Sequence, residues 1–374
     1  MIPSVLADAA RPRRADIPAI GLALVIALLP LEAAAHEAWL LTPDEMAKLA
    51  VAPIPAVFTG IWPLAGFIAL AALAAVAAIA IADRLRDIER RIFAPLAAVA
   101  ADLGPLFVRL GLALMLGLGA VGGLPRHGTA IWTTPTLMVP DMQITLAGSG
   151  WSWLAYAELI TALLLLAGLF TRVAALMVMA LVGLGFSAFG TVFFAYGPHF
   201  VAPALILLMY GGGALSLDRV ARRPALTLWP ELLPRGDQTS QTAWRVATWR
   251  ATLALLGGTF VYLGIAYKLD QPTLLIAILD HGDVPTFGIP LETAALIMML
   301  VEITAGALLA LGLLVRPIAV FLMGAFTFFA VTIGETPLFH ANLYGTMAML
   351  LMCGPAPGRL GAGAISFNIR RMAR

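Results

Sequence analysis

"AELITALLLLAGLFTR", residues 157–172, is almost entirely hydrocarbon, yet it carries Glu158 near one end and Arg172 at the other. A run this apolar reads as a helix in a membrane, where a carboxylate is expensive unless it is protonated, paired or turned toward a wet cavity. "VEITAGALLALGLLVR", residues 301–316, repeats the device, with Glu302, Gly312 and Arg316 standing where Glu158, Gly168 and Arg172 stand. Two such segments point to a duplicated design.

Working outward, the whole chain has the same character. Of its 374 residues 61% are hydrophobic and 12% charged, and the mean hydropathy is +0.94, which leaves too little polar surface to cover a soluble globular domain. Apolar stretches long enough to span a bilayer lie near 17–35, 57–82, 105–124, 151–170, 173–195, 199–217, 251–268, 292–314, 317–334 and 338–354. The expected fold is therefore all-α, a polytopic membrane protein of about ten transmembrane helices. With the N-terminus cytoplasmic, all of the 23 basic residues except Lys48, Arg126 and Lys268 fall at cytoplasmic ends or loops, the bias that sets orientation. At the start, "RPRR", an apolar run through Leu29 and "LEAAAHE" fit either a secretory signal cleaved after an Ala33-x-Ala35 site, leaving about nine helices, or an uncleaved anchor. Both leave His36 outside. Cys353 is the single cysteine, so this chain alone makes no disulfide, CxxC pair or cysteine-ligated cluster.

The offset that aligns Glu158 with Glu302 also aligns Gly190 with Gly334, and a slightly shorter one pairs Arg109 with Arg250 and His199 with His340. Four helices per unit return the chain to the same side, so the units are expected to be two parallel four-helix repeats, 105–217 and 251–354. Residues 1–104 form an N-terminal addition of signal or anchor helix, short outer segment and second helix; 218–250 form a cytoplasmic linker, and 355–374 a cytoplasmic tail. Trp229, Trp244 and Trp249 suit a linker lying along inner headgroups, or a docking platform for a soluble subunit.

An Arg opening a glycine-rich first helix (Arg109, Arg250), a Glu in the second (Glu158, Glu302), a "GLxxR" turn into the third and a His opening the fourth (His199, His340) resemble the DoxX family. Lys268 in "YLGIAYKLD" resembles the family's lysine after the first helix, where the first unit has His127 instead. The resemblance covers roughly 105–354, twice over. It implies four-helix membrane units tied to quinone-linked redox modules, such as the small subunit of thiosulfate:quinone oxidoreductase, in a bacterial-type inner membrane.

In this topology all five histidines, His36, His127, His199, His281 and His340, lie outside or at outer helix ends. His127 and His281 read as loop residues; His199 and His340 fit either structural capping or proton chemistry near neutral pH. Glu158 and Glu302 fit either interhelical hydrogen bonds or acids that pass protons to a reduced quinone. Tyr156, Tyr262 and Tyr344 are candidates to line a quinone slot, with Lys268 beside it. Arg172 and Arg316 read as snorkelling anchors of tight turns.

Two other cofactors have candidate ligands: a haem between His199 and His340, and copper held by His36, His127, Met138 and Met142. No metal site is expected from ligand spacing. The chain has no phosphate loop or dinucleotide fingerprint, which argues against flavin, nicotinamide or ATP chemistry, and no nucleic-acid partner is expected. The function expected is that of a membrane subunit of a quinone-linked oxidoreductase, set in lipid, offering a quinone site near the outer face and docking a separate redox subunit. The alternatives are a non-catalytic anchor and a small-solute or metal transporter.

Overall fold

The computed structural model describes residues 41–49, 51–122, 125–126, 130–131, 134–139, 144–220, 238–334 and 336–355. The first apolar stretch, His36, His127, Met142, Trp229 and nearly all of the C-terminal tail lie outside the described residues. The chain forms helices α1 (Pro43–Leu49), α2 (Ala56–Thr59), α3 (Ile61–Val121), α4 (Leu154–Ala167), α5 (Thr171–Phe189), α6 (Gly197–Tyr210), α7 (Leu217–Val220), α8 (Gln238–Leu263), α9 (Pro272–His281), α10 (Leu291–Ala310), α11 (Val315–Thr332) and α12 (Ala341–Cys353). A short antiparallel ribbon, β1 (Pro125–Arg126) with β2 (Ala130–Ile131), and an isolated bridge between Thr136 and Thr145 accompany these helices.

Among the described residues, five helical segments are long and apolar enough to cross a membrane: Ile61–Val121, Thr171–Ala195, Ala243–Leu269, Leu291–Ala310 and Val315–Thr332. Their outward faces carry Ile68, Leu70, Leu73, Val173, Val320 and Phe321, all exposed. So much apolar surface is stable facing lipid rather than water. The architecture is that of a helical membrane protein.

The expected boundary between a second helix and the first unit, at residues 104 and 105, does not exist as a break. Residues 61–121 form one helix with Pro95 and Pro105 inside it. A straight helix of this length would run about 90 Å, three times the hydrocarbon thickness. Instead its two limbs pack differently. Leu64 and Phe67 pack with Ala295, Leu296 and Met299 of α10, and Glu89 then meets Arg316 beyond the far end of α10 at 2.8 Å. The last limb runs antiparallel to α12: Gly104 faces Met349, the Phe107 carbonyl faces Gly345, and Gly111 faces the Ala341 carbonyl. Side chains at Gly111 and Gly345 would collide with those carbonyls, so glycine sets this close approach. Since α10 and α12 are separated by α11 in an up-and-down order, α3 changes direction between Glu89 and Gly104. Pro95 lies within that stretch and Pro105 at its edge, each removing a backbone donor.

Two tight turns have matching geometry. α4 ends at Gly168 (φ 63°) and α5 begins after Phe170 (φ 49°); α10 is followed by Gly312 (φ 71°), and α11 begins after Leu314 (φ 50°). Arg172 Nε donates to the Leu208 carbonyl at 3.0 Å and Arg316 Nε to the Leu351 carbonyl at 2.9 Å. These arginines are therefore fixed on the carbonyl ends of α6 and α12, with Arg316 also over the Phe93 ring, rather than anchored by headgroups alone.

Other expectations are corrected. α8 starts well before residue 251, so the linker of 218–250 already contains its first turns. Trp249 is fully buried and its indole N–H donates to the Gly354 carbonyl at 3.3 Å, so it belongs to the core and not to a headgroup layer. α9, a ten-residue apolar helix absent from the apolar stretches read in the sequence, is too short to span and packs through Leu274 and Ile278 against Leu41, just before α1.

Candidate functional site

A cavity of about 720 Å³ opens among α6, α8, α9, α10, α11 and the start of α12. His199, His340, Lys268 and Glu302 all line it. Its remaining wall is mostly aliphatic with a set of aromatic rings, including Phe260, Phe326, Phe328 and Phe339.

Local structure explains how each polar group arrives there. α8 ends at Leu263 and continues as a π-helical turn, Gly264–Leu269. Such a widened turn shifts the side chains that follow it relative to an α-helical register, and Lys268 lies within it. Glu302 stands roughly 16 Å along α10 from Leu291. The two side chains form an ion pair and are only 14% and 16% exposed. A charge held this deep persists when its partner is present.

The imidazoles sit at the starts of α6 and α12. His199 packs on Phe260 with centroids 5.0 Å apart, and His340 stacks on Phe326 at 4.9 Å and 7°. Phe260 and Phe326 stack on one another at 6.1 Å. The two histidines are thus connected through two phenyl rings, which differs from the mutually facing pair a haem would need. Asn342 also lines the cavity, and its Nδ2 donates to the His199 carbonyl at 3.3 Å, tying α12 to α6. Sequence reasoning passed over Asn342, although a carboxamide in the apolar run after His340 was the available signal.

The first half of the chain is built differently. Glu158 is fully buried in α4 but does not line the cavity. Its Oε1 accepts a hydrogen bond from the Met138 backbone N–H. Met138 adopts a left-handed φ of 65°, uncommon for a side chain of this kind. Thr136 to Val139 are buried, and the loop is stitched by Thr136 N–H to the Gly119 carbonyl at 3.1 Å and Leu146 N–H to the Pro135 carbonyl at 2.8 Å. The loop thus closes the space in front of Glu158.

The tyrosines do not assemble as expected. Tyr156 is 73% exposed on the outer face of α4. Tyr262 is fully buried, edge-on to Tyr267 at 6.0 Å. Tyr344 bonds to Thr327 at 2.7 Å and touches Phe326, one step behind the cavity wall. Arg109, read as a unit's opening charge at a membrane end, is fully buried. It donates to the carbonyls of Leu165, Leu166, Gly212 and Leu215 at 2.6–3.3 Å, capturing acceptors at the end of α4 and in the turn between α6 and α7.

Among the described residues there is no group of three or more His, Cys, Asp or Glu that could hold a metal ion. Of the copper candidates, Met138 is fully buried and the other three lie outside the described residues. Comparison with protein-family models, with curated proteins and with solved structures finds no match to this chain.

Proposed function

We propose that the chain is an integral membrane subunit of a quinone-linked oxidoreductase, and that its quinone site is the cavity lined by Lys268, Glu302, His199 and His340. The observation that carries this reading is the convergence of those four side chains, from four separate stretches of sequence, on one apolar and partly aromatic chamber. A flat, uncharged head with two acceptor oxygens suits such a chamber, because aromatic walls stack on it and a few donors orient it.

A bound quinone supplies a two-electron, two-proton acceptor. The side chains would do the rest. The Lys268 ammonium donates a hydrogen bond to one acceptor oxygen, Glu302 keeps that ammonium charged and in place, and the histidines hold or release a proton near neutral pH at the other side. In this reading electrons come from a separate redox subunit.

In this reading the chain is two DoxX-like parallel four-helix units within a ten-span topology in a bacterial-type inner membrane, its N-terminus cytoplasmic. The paired Gly168 and Gly312 turns and the paired Arg172 and Arg316 bonds support the duplication. The second unit carries most of the site and the first contributes His199, while Glu158, sealed by Met138, serves the scaffold. That sealed carboxylate is also what favours the second reading, a non-catalytic anchor for partner subunits.

The test is gentle purification from the native membrane, followed by quinone extraction and identification of co-purifying chains. Stoichiometric quinone, lost by roughly tenfold in Lys268→Met, is expected. Partners without quinone in the wild type would instead favour the anchor.

A further inference from the structure

The cavity is not sealed on the side of α11. Val320, Phe321 and Phe328, which line it, are 53%, 47% and 38% exposed, and Val301 of α10 is 39% exposed. Gly324, between them, has nothing within 4 Å of the place where a side chain would begin. The wall is reached from outside the bundle, at the depth of helices whose outer faces are hydrocarbon.

Directly outside runs a second depression of about 340 Å³, bounded by α3 on one side and by α10 and α11 on the other. It shares Ile297, Val301 and Phe321 with the cavity. The two spaces differ in chemistry. The cavity holds the ion pair and both imidazoles, whereas Thr304 is the one hydrogen-bonding side chain along the groove. Polar groups inside and hydrocarbon outside, joined through a common wall, match an amphipathic molecule with its head in one and its tail in the other.

We propose that the ligand is membrane-borne and enters sideways between α10 and α11, and that its long apolar tail stays in the groove between α3 and those helices. This rests on the cavity's being a head-group site, as proposed above, and adds that the tail belongs to the same molecule. It also gives the first limb of α3 a role, as the outer wall of the tail channel.

The test uses two photoreactive azido-benzoquinones that differ only in the tail, one with none and one with a long isoprenoid chain, on the full-length protein in phosphatidylcholine vesicles. The variants are Ala75→Phe and Leu308→Trp, which narrow the groove at residues that do not line the cavity. Both probes are expected to label the wild-type cavity. In both variants the tailless probe still labels, and labelling by the tailed probe falls roughly tenfold. Undiminished labelling by the tailed probe overturns the lateral route and leaves the head-group site standing. Loss of both probes in both variants overturns it too, because it would make the groove part of the cavity's own support. A phospholipid retained in the groove and not displaced by the tailed probe assigns the groove to bulk lipid and also overturns it. Failure of either probe to label the wild type removes the head-group site and the route together.

Discussion

The carboxylates of Glu158 and Glu302 occupy matching places in the two halves and meet opposite kinds of partner: a backbone N–H of Met138 in the first and the ammonium of Lys268 in the second. One is closed behind its loop and the other faces a cavity. Their substitutions should therefore have different consequences. Glu158→Ala removes the acceptor from a buried donor and should destabilise the protein by about 1–3 kcal/mol, visible as a lower unfolding temperature and faster proteolysis within 134–146. Glu302→Gln should leave proteolysis of that loop unchanged, while it strands the Lys268 ammonium and weakens head-group binding; equal loosening of the loop in both variants would contradict the contrast.

Lys268 and Glu302 should also be coupled. Lys268→Met strands a carboxylate at low exposure, at a cost of roughly 3–5 kcal/mol, while removing both charges with hydrophobic residues of similar volume is often neutral. The double variant Lys268→Met/Glu302→Leu should thus unfold at a higher temperature than Lys268→Met alone and still bind no head group. A double variant less stable than either single one would show that the pair is not the relevant unit.

Arg109 makes four bonds to carbonyls at the end of α4 and in the turn between α6 and α7. Charged donors in such bonds contribute more than neutral ones, so Arg109→Met should cost roughly 3 kcal/mol or more and reduce accumulation in the membrane. Arg109→Lys keeps the charge but cannot reach several carbonyls at once, and recovery by lysine to wild-type level would argue against the clasp.

One pH dependence is expected outside the spanning region. Glu45 accepts from the Thr42 backbone N–H at 2.6 Å and the Thr42 hydroxyl at 2.7 Å, and faces His281 Nδ1 at 2.8 Å. The Thr42 backbone bond first, then His281, holds its pKa down at about 2 from 4.5. With the folded pKa below the unfolded one, its tether of α1 to α9 is complete above about pH 4.5 and lost as pH falls toward 2. Amide exchange in Pro43–Leu49 should accelerate across that window, and Glu45→Gln should loosen the segment already at neutral pH.

Much of the site was legible because its chemistry is written in rare residues. A lysine, a glutamate and two histidines stand out against apolar sequence, and the spacing of Glu158, Gly168 and Arg172 against Glu302, Gly312 and Arg316 marked the matching turns before any geometry was known. What escaped was the difference between the halves. It depends on a loop folding back so that Met138 reaches Glu158, a contact between segments with no shared periodicity. The outward direction of Tyr156 and the burial of Trp249 escaped for a related reason, since a helix with apolar residues all round does not reveal which face meets lipid. The continuity of α3 was hidden by "DRLRDIERR", whose charges interrupt hydrophobicity without interrupting the helix.

That continuity bears on how the chain can be divided. One helix carries the outer wall of the groove at Phe67 to Ala78, the carboxylate that holds Arg316, and the buried guanidinium of Arg109. A chain cut at residue 105 would therefore not release two self-sufficient modules. It would leave Arg316 without Glu89 and α10 with a bare flank, so the helix segment before residue 105 is part of the same cooperative folding unit as α10 and α11.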